Sequence, residues 1–85
     1  MVTNEIPAHL RWACRRGMLE LDVILGNFLE EQYLKVSPSE QAIFAQILDS
    51  EDQNLYQWLT GSVMTPIPEW AVLIEKIRSH AKNRH

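Results

Sequence analysis

The chain has 85 residues, of which 46% are hydrophobic and 22% charged, with a formal net charge of −3. This allows one domain with one modest core and excludes both a two-domain chain and a disordered one. The longest apolar run, Trp70 to Ile74, falls far short of the ~20 residues that span a bilayer, so no membrane insertion is expected.

Glu5 and Pro7 stand where a signal peptide needs an apolar stretch. The one cysteine, Cys14, has no internal partner for a disulfide. Both features point to a reducing cytoplasm. Charge is unevenly spread. Residues 17–53 carry eight acids against Lys35 alone, whereas both ends of the chain are mildly basic. Such a surface suits a polar protein partner better than a nucleic acid.

Helical spacing runs through nearly the whole chain, and there is no sustained alternation or hairpin dipeptide to signal a strand. The first helix is predicted from Asn4 or Pro7 to Arg16, with Ile6, Leu10 and Ala13 or Cys14 along one side. Gly17 is placed as the left-handed residue that ends it, and Arg15 and Arg16 as cations of its last turn.

The second helix, about Met18 to Leu34, buries Met18, Leu21, Leu25 and Phe28, flanked by Ile24 and Leu29. Gly26, in its middle, costs up to ~1 kcal/mol relative to alanine unless another backbone approaches closely. Ser37-Pro38-Ser39-Glu40 reads as a capping box that opens a third helix to about Leu48. Ser50 to Gln53 repeats that pattern more weakly. A fourth helix carries Leu55, Trp58 and Leu59 and stops at Gly61. Pro66 and Pro68 keep the next segment irregular until a last helix, about Pro68 to Ala81, buries Trp70, Leu73, Ile74 and Ile77.

The expectation is an all-α, compact single-domain bundle of about five short helices over residues 1–85. Its core covers about residues 6–80, and residues 82–85 form a flexible tail. Trp58 and Trp70 are assigned to the core, and Trp12 is read the same way.

The chemical inventory argues against an enzyme. His9, His80 and His85 have no metal-ligand spacing and there is no second cysteine. Cys14 reads as a small buried hydrophobe. The glycines are too scattered for a phosphate loop. The third and fourth helices could form a helix-turn-helix, but no Lys or Arg occurs between Lys35 and Lys76. Phosphates would therefore meet only acids there.

What remains is the stretch CRRGMLELD, Cys14 to Asp22. It reads equally well as an ordinary corner, with Arg16 and Glu20 paired at i,i+4, or as an apolar-plus-arginine interface. The residues alone leave the two readings even.

Arg16-Gly17-Met18-Leu19-Glu20 matches the RGxxE motif of the succinate dehydrogenase assembly factors, the small bacterial flavinator proteins. The surrounding stretch Trp12 to Asp22, Phe28 followed by acids, Ser37-x-x-Glu40 and the run Asp52-x-x-Leu-Tyr-x-Trp58-Leu59 resemble the same family, over about residues 8–80. Leu19 departs from the pattern, because basic residues are common there in the family.

The resemblance implies a five-helix assembly factor or chaperone that is not an enzyme and holds no cofactor stably. It would act, as a monomer, on the flavoprotein subunit of succinate dehydrogenase or fumarate reductase, promoting covalent FAD attachment. It places Arg16, Gly17 and Glu20 in the docking surface, with Met18 and Asp22 beside them and Trp12 and His9 reaching it from the first helix. The other reading within this class is a non-enzymatic helical interaction module acting as an antitoxin-like regulator.

Overall fold

The spacing of apolar residues lays down five α-helices. The computed structural model describes residues 5–83. In chain order the elements are α1 (Ala8–Ala13), α2 (Leu19–Gln32), a 3-10 turn (Tyr33–Lys35), α3 (Pro38–Ile47), α4 (Asp52–Thr60) and α5 (Pro68–Asn83). No strand occurs among the described residues. The last turn of α5 thus runs into the segment expected to be a tail. Arg84 and His85 lie outside the described residues, as does Asn4, one of the two expected starting points.

Helix α2 is the centre of the bundle and packs against α1, α4 and α5, while α5 also packs on α3 and α4. The α2 stripe does this because Leu21, Leu25 and Phe28 recur at 3.6-residue spacing, and all three are buried with Leu29. They meet Phe44 and Ile47 of α3, Leu55 and Leu59 of α4, and Leu73 and Ile77 of α5. Phe28 and Phe44 stack at a tilt with ring centroids 5.5 Å apart. Every buried residue among those described is apolar. Burial of each large side chain contributes roughly 1.5–3 kcal/mol.

The ends of α3 and α4 are set locally. Ser37 Oγ accepts the Glu40 backbone N–H at 3.2 Å, and the Glu40 carboxylate accepts the Ser37 N–H in return. The expected capping box is therefore formed. Helix α4 stops at Gly61, whose φ of 82° makes it the one described residue in the left-handed region.

Several expectations are corrected. Gly17 is not left-handed, and α1 ends earlier, with Cys14 as a right-handed C-cap. Only Arg11 lies in the last turn of α1. The second capping box does not form: Glu51 is the N-cap of α4 and its side chain makes no cap bond. Nothing lies within 4 Å of where a Cβ on Gly26 would point, so no backbone approach offsets that glycine.

Trp12 is 74% exposed. Leu10 and Cys14, four residues apart, take the inward face of α1, and Trp12 sits about 200° round the helix from each. Trp58 is buried, as expected. Trp70 is half-buried and meets Trp58 edge-on, with ring centroids 5.9 Å apart. Its indole N–H donates to Gln46.

Candidate functional site

The corner between α1 and α2 is held from two sides. On one side Arg11 of α1 forks onto Glu30 of α2, with Nε to Oε2 at 2.7 Å and Nη2 to Oε1 at 3.2 Å. The guanidinium keeps the Glu30 carboxyl below its ordinary value, and this bond is the main cause. Both side chains are half exposed, so the pair orients α1 more than it stabilises the fold.

On the other side Arg16 turns inward. Its Nη1 donates to the Ser50 carbonyl at 3.0 Å and meets Asp52 Oδ1 at 3.3 Å, while Nη2 donates to the Leu48 carbonyl. The Arg16 side chain is only 13% exposed. The physical reason lies in α3. That helix has no basic residue in its last turn and no glycine C-cap; following backbone N–H groups take the Phe44, Gln46 and Ile47 carbonyls, and the Leu48 and Ser50 carbonyls are left for a side-chain donor. Arg16 is that donor, from across the chain. The expected Arg16–Glu20 ion pair is therefore absent: Arg16 is paired to Asp52, and Glu20 is exposed with no ion-pair partner among the described residues.

The other residues expected at the site divide by exposure. His9, Trp12, Gly17 and Glu20 are exposed, whereas Met18 and Asp22 are half-buried. Met18 packs against the core and so fixes the corner from beneath. Trp12 and Asp22 line one groove with Arg15, Gly26 and Asn27. Leu19 is 74% exposed, and Val23, one turn on, is exposed too. Gly17 stands apart from that groove, beside Asp52, whose Oδ2 lies 3.8 Å from where a Cβ would sit.

Sequence reasoning missed Asp52 and the 48–52 turn as parts of this corner. The available signal was the end of α3, which has neither a glycine nor a cation to satisfy its carbonyls. Such an end is open to a side-chain donor from elsewhere, and Arg16 is the one that serves it.

The chemistry elsewhere is sparse. Burial pushes the Cys14 thiol up to about 12, and its Sγ lies 3.7 Å from the Leu25 carbonyl. Burial thus disfavours the thiolate, the form that acts as nucleophile or metal ligand. No group of three or more His, Cys, Asp or Glu among the described residues could hold a metal ion. A hollow lies between α2, α3 and α5, around Phe28, Gln32, Lys76 and His80, and shares no residue with the corner. No described helix is long and apolar enough to cross a membrane.

The described residues form five short helices around an exposed corner, a small domain of the all-α class. Residues 8–81 match the family described as the flavinator of succinate dehydrogenase. The FAD assembly factor SdhE of Vibrio vulnificus is 42% identical over 80 residues, covering 94% of this chain and 93% of the relative. The protein of the same name from Coxiella burnetii is 46% identical over 69 residues, covering 81% and 84%. That from Shewanella oneidensis is 40% identical over 74 residues, covering 87% and 90%. The chain belongs to the family of succinate dehydrogenase flavinators.

Proposed function

We propose that this protein is an assembly factor that binds the flavoprotein subunit of succinate dehydrogenase and promotes covalent attachment of FAD to it. The docking face comprises Gly17, Glu20, Met18 and Asp22, with Trp12 and His9 from α1 and Arg16 behind it. The bond-forming chemistry belongs to the partner and its flavin. The contribution of this chain is to hold the partner in a geometry that brings the reacting groups together, which is what preorganisation supplies. The same reading covers the flavoprotein of fumarate reductase, with the factor acting as a cytoplasmic monomer that holds no flavin itself.

The observation that carries this reading is Gly17. It is exposed, it is not left-handed, and a Cβ there would make only ordinary contact. The fold does not need a glycine at this point. A partner backbone that approaches the corner closely does need one.

The test is covalent flavin fluorescence of the dehydrogenase subunit on a denaturing gel, in a strain deleted for this gene. Wild type should restore the signal, and folded Gly17→Arg and Glu20→Ala should not. Full restoration by a folded Gly17→Arg would sink the reading.

A further inference from the structure

Arg16 and Glu20 are oppositely charged and four residues apart, with Gly17, Met18 and Leu19 between them, yet they do not pair. Arg16 lies between α1 and α2, so no common helix brings the two side chains together, and the guanidinium is taken up instead by the 48–52 turn. Two carbonyls and the Asp52 carboxylate face the Arg16 guanidinium from the far side of the corner. All three bonds are charge-assisted through the guanidinium, but only Asp52 adds an opposing charge, a Coulombic attraction that the carbonyls do not supply. Asp52 is also the residue beside Gly17, so it occupies the place from which the arginine could otherwise swing out over the glycine.

We propose that Asp52 is a positioning residue of the docking corner. It retains Arg16 on the inner side, which keeps the space over Gly17 open and leaves the Glu20 carboxylate free for the partner. Without Asp52 an extended arginine reaches Glu20, neutralises it and covers Gly17. This inference rests on the docking reading above, but the position of Arg16 can be measured without any partner.

The experiment has two arms. In the first, isolated isotope-labelled protein is examined by NMR. Nuclear Overhauser contacts of the Arg16 side chain run to Leu48 and Ser50 in the wild type and shift to Glu20 in Asp52→Ala. If they stay on Leu48 and Ser50, the inference is overturned. Should Asp52→Ala fail to fold, Asp52→Asn removes the charge while keeping the shape, and the same shift is read.

The second arm measures binding of the purified flavoprotein subunit of succinate dehydrogenase. Asp52→Ala should bind about tenfold more weakly. Asp52→Ala with Arg16→Gln should recover most of that loss, because glutamine cannot neutralise Glu20, and Asp52→Glu should bind like the wild type. A double variant weaker than Asp52→Ala would mean that Arg16 itself touches the partner, and would overturn the proposal. Absence of binding by the wild type would instead count against the docking reading, and the first arm would still decide the position of Arg16.

Discussion

The guanidinium of Arg78 lies directly over Gly61. A Cβ built on that glycine would stand 2.7 Å from Arg78 Nη2. The glycine has a φ of 82° and closes α4, so two independent constraints meet at one residue. Gly61→Ala must take a left-handed conformation, which costs roughly 1–2 kcal/mol, and must displace the arginine, which is bound to Glu75 at 2.7 Å. The melting temperature should fall by about 4–8 °C for each kcal/mol lost in a domain of this size. Differential scanning calorimetry checks it, and an unchanged melting temperature would mean that the α4 terminus is set by something other than Gly61.

Trp12 provides the opposite case. With the side chain 74% exposed, truncation removes little burial. Trp12→Ala should leave stability within about 0.5 kcal/mol. As an exposed tryptophan beside Arg15 and Asp22, it has the character of an interface anchor, and the same variant should bind the flavoprotein subunit at least about tenfold more weakly. Titration calorimetry with the purified subunit reads both affinity and the heat capacity change expected from burying the indole.

Cys14 should resist alkylation by thiol reagents in the native protein at pH 8 and react at once in denaturant, because its thiol is buried and titrates at about 12. The linkage has a definite sign. The folded state holds the proton more tightly than the unfolded chain, whose thiol titrates near 9.0. This contribution to stability is complete below 9.0 and is lost as pH rises from there toward 12. Cys14→Ala should therefore lose less stability over that alkaline range than the wild type does, as followed by denaturant titration.

Glu40 acts at the acid end. Its carboxyl sits below the ordinary 4.5, chiefly through the bond from Lys76, with the Ser37 backbone adding to it. Ionised Glu40 is favoured by the fold, so its contribution is present above 4.5 and is lost as pH falls through the lowered value. Acid melting curves should be shallower for Glu40→Gln than for the wild type. Ser37→Ala, which removes the other half of the capping box, should cost about 1 kcal/mol at neutral pH.

The sequence was most informative where local rules act alone. The stripe of α2, the Ser37–Glu40 box, the stop at Gly61 and the start of α5 at Pro68 all follow from residues within one or two turns of each other. It was least informative at the corner itself. Gly17 looked like a helix terminator because glycine usually serves that purpose, but the chain turns there without a left-handed residue. A large aromatic side chain suggests an inward Trp12, although its angle from Leu10 and Cys14 puts it on the other face. The Arg16–Glu20 pair failed for a different reason. Arg16 stands between α1 and α2, so its spacing to Glu20 spans no common helix, and the partner it does find, Asp52, lies 36 residues away in the chain.

That separation has a consequence for the life of the chain. The acceptors of Arg16 are the end of α3 and the beginning of α4, so the corner takes its final shape only after everything from Arg16 to Asp52 has closed into place. A nascent or half-collapsed copy carries the same motif residues without the same surface. If the corner is the docking surface proposed above, completion of the fold is a condition of recognition, and unfinished copies should not compete with finished ones for the partner.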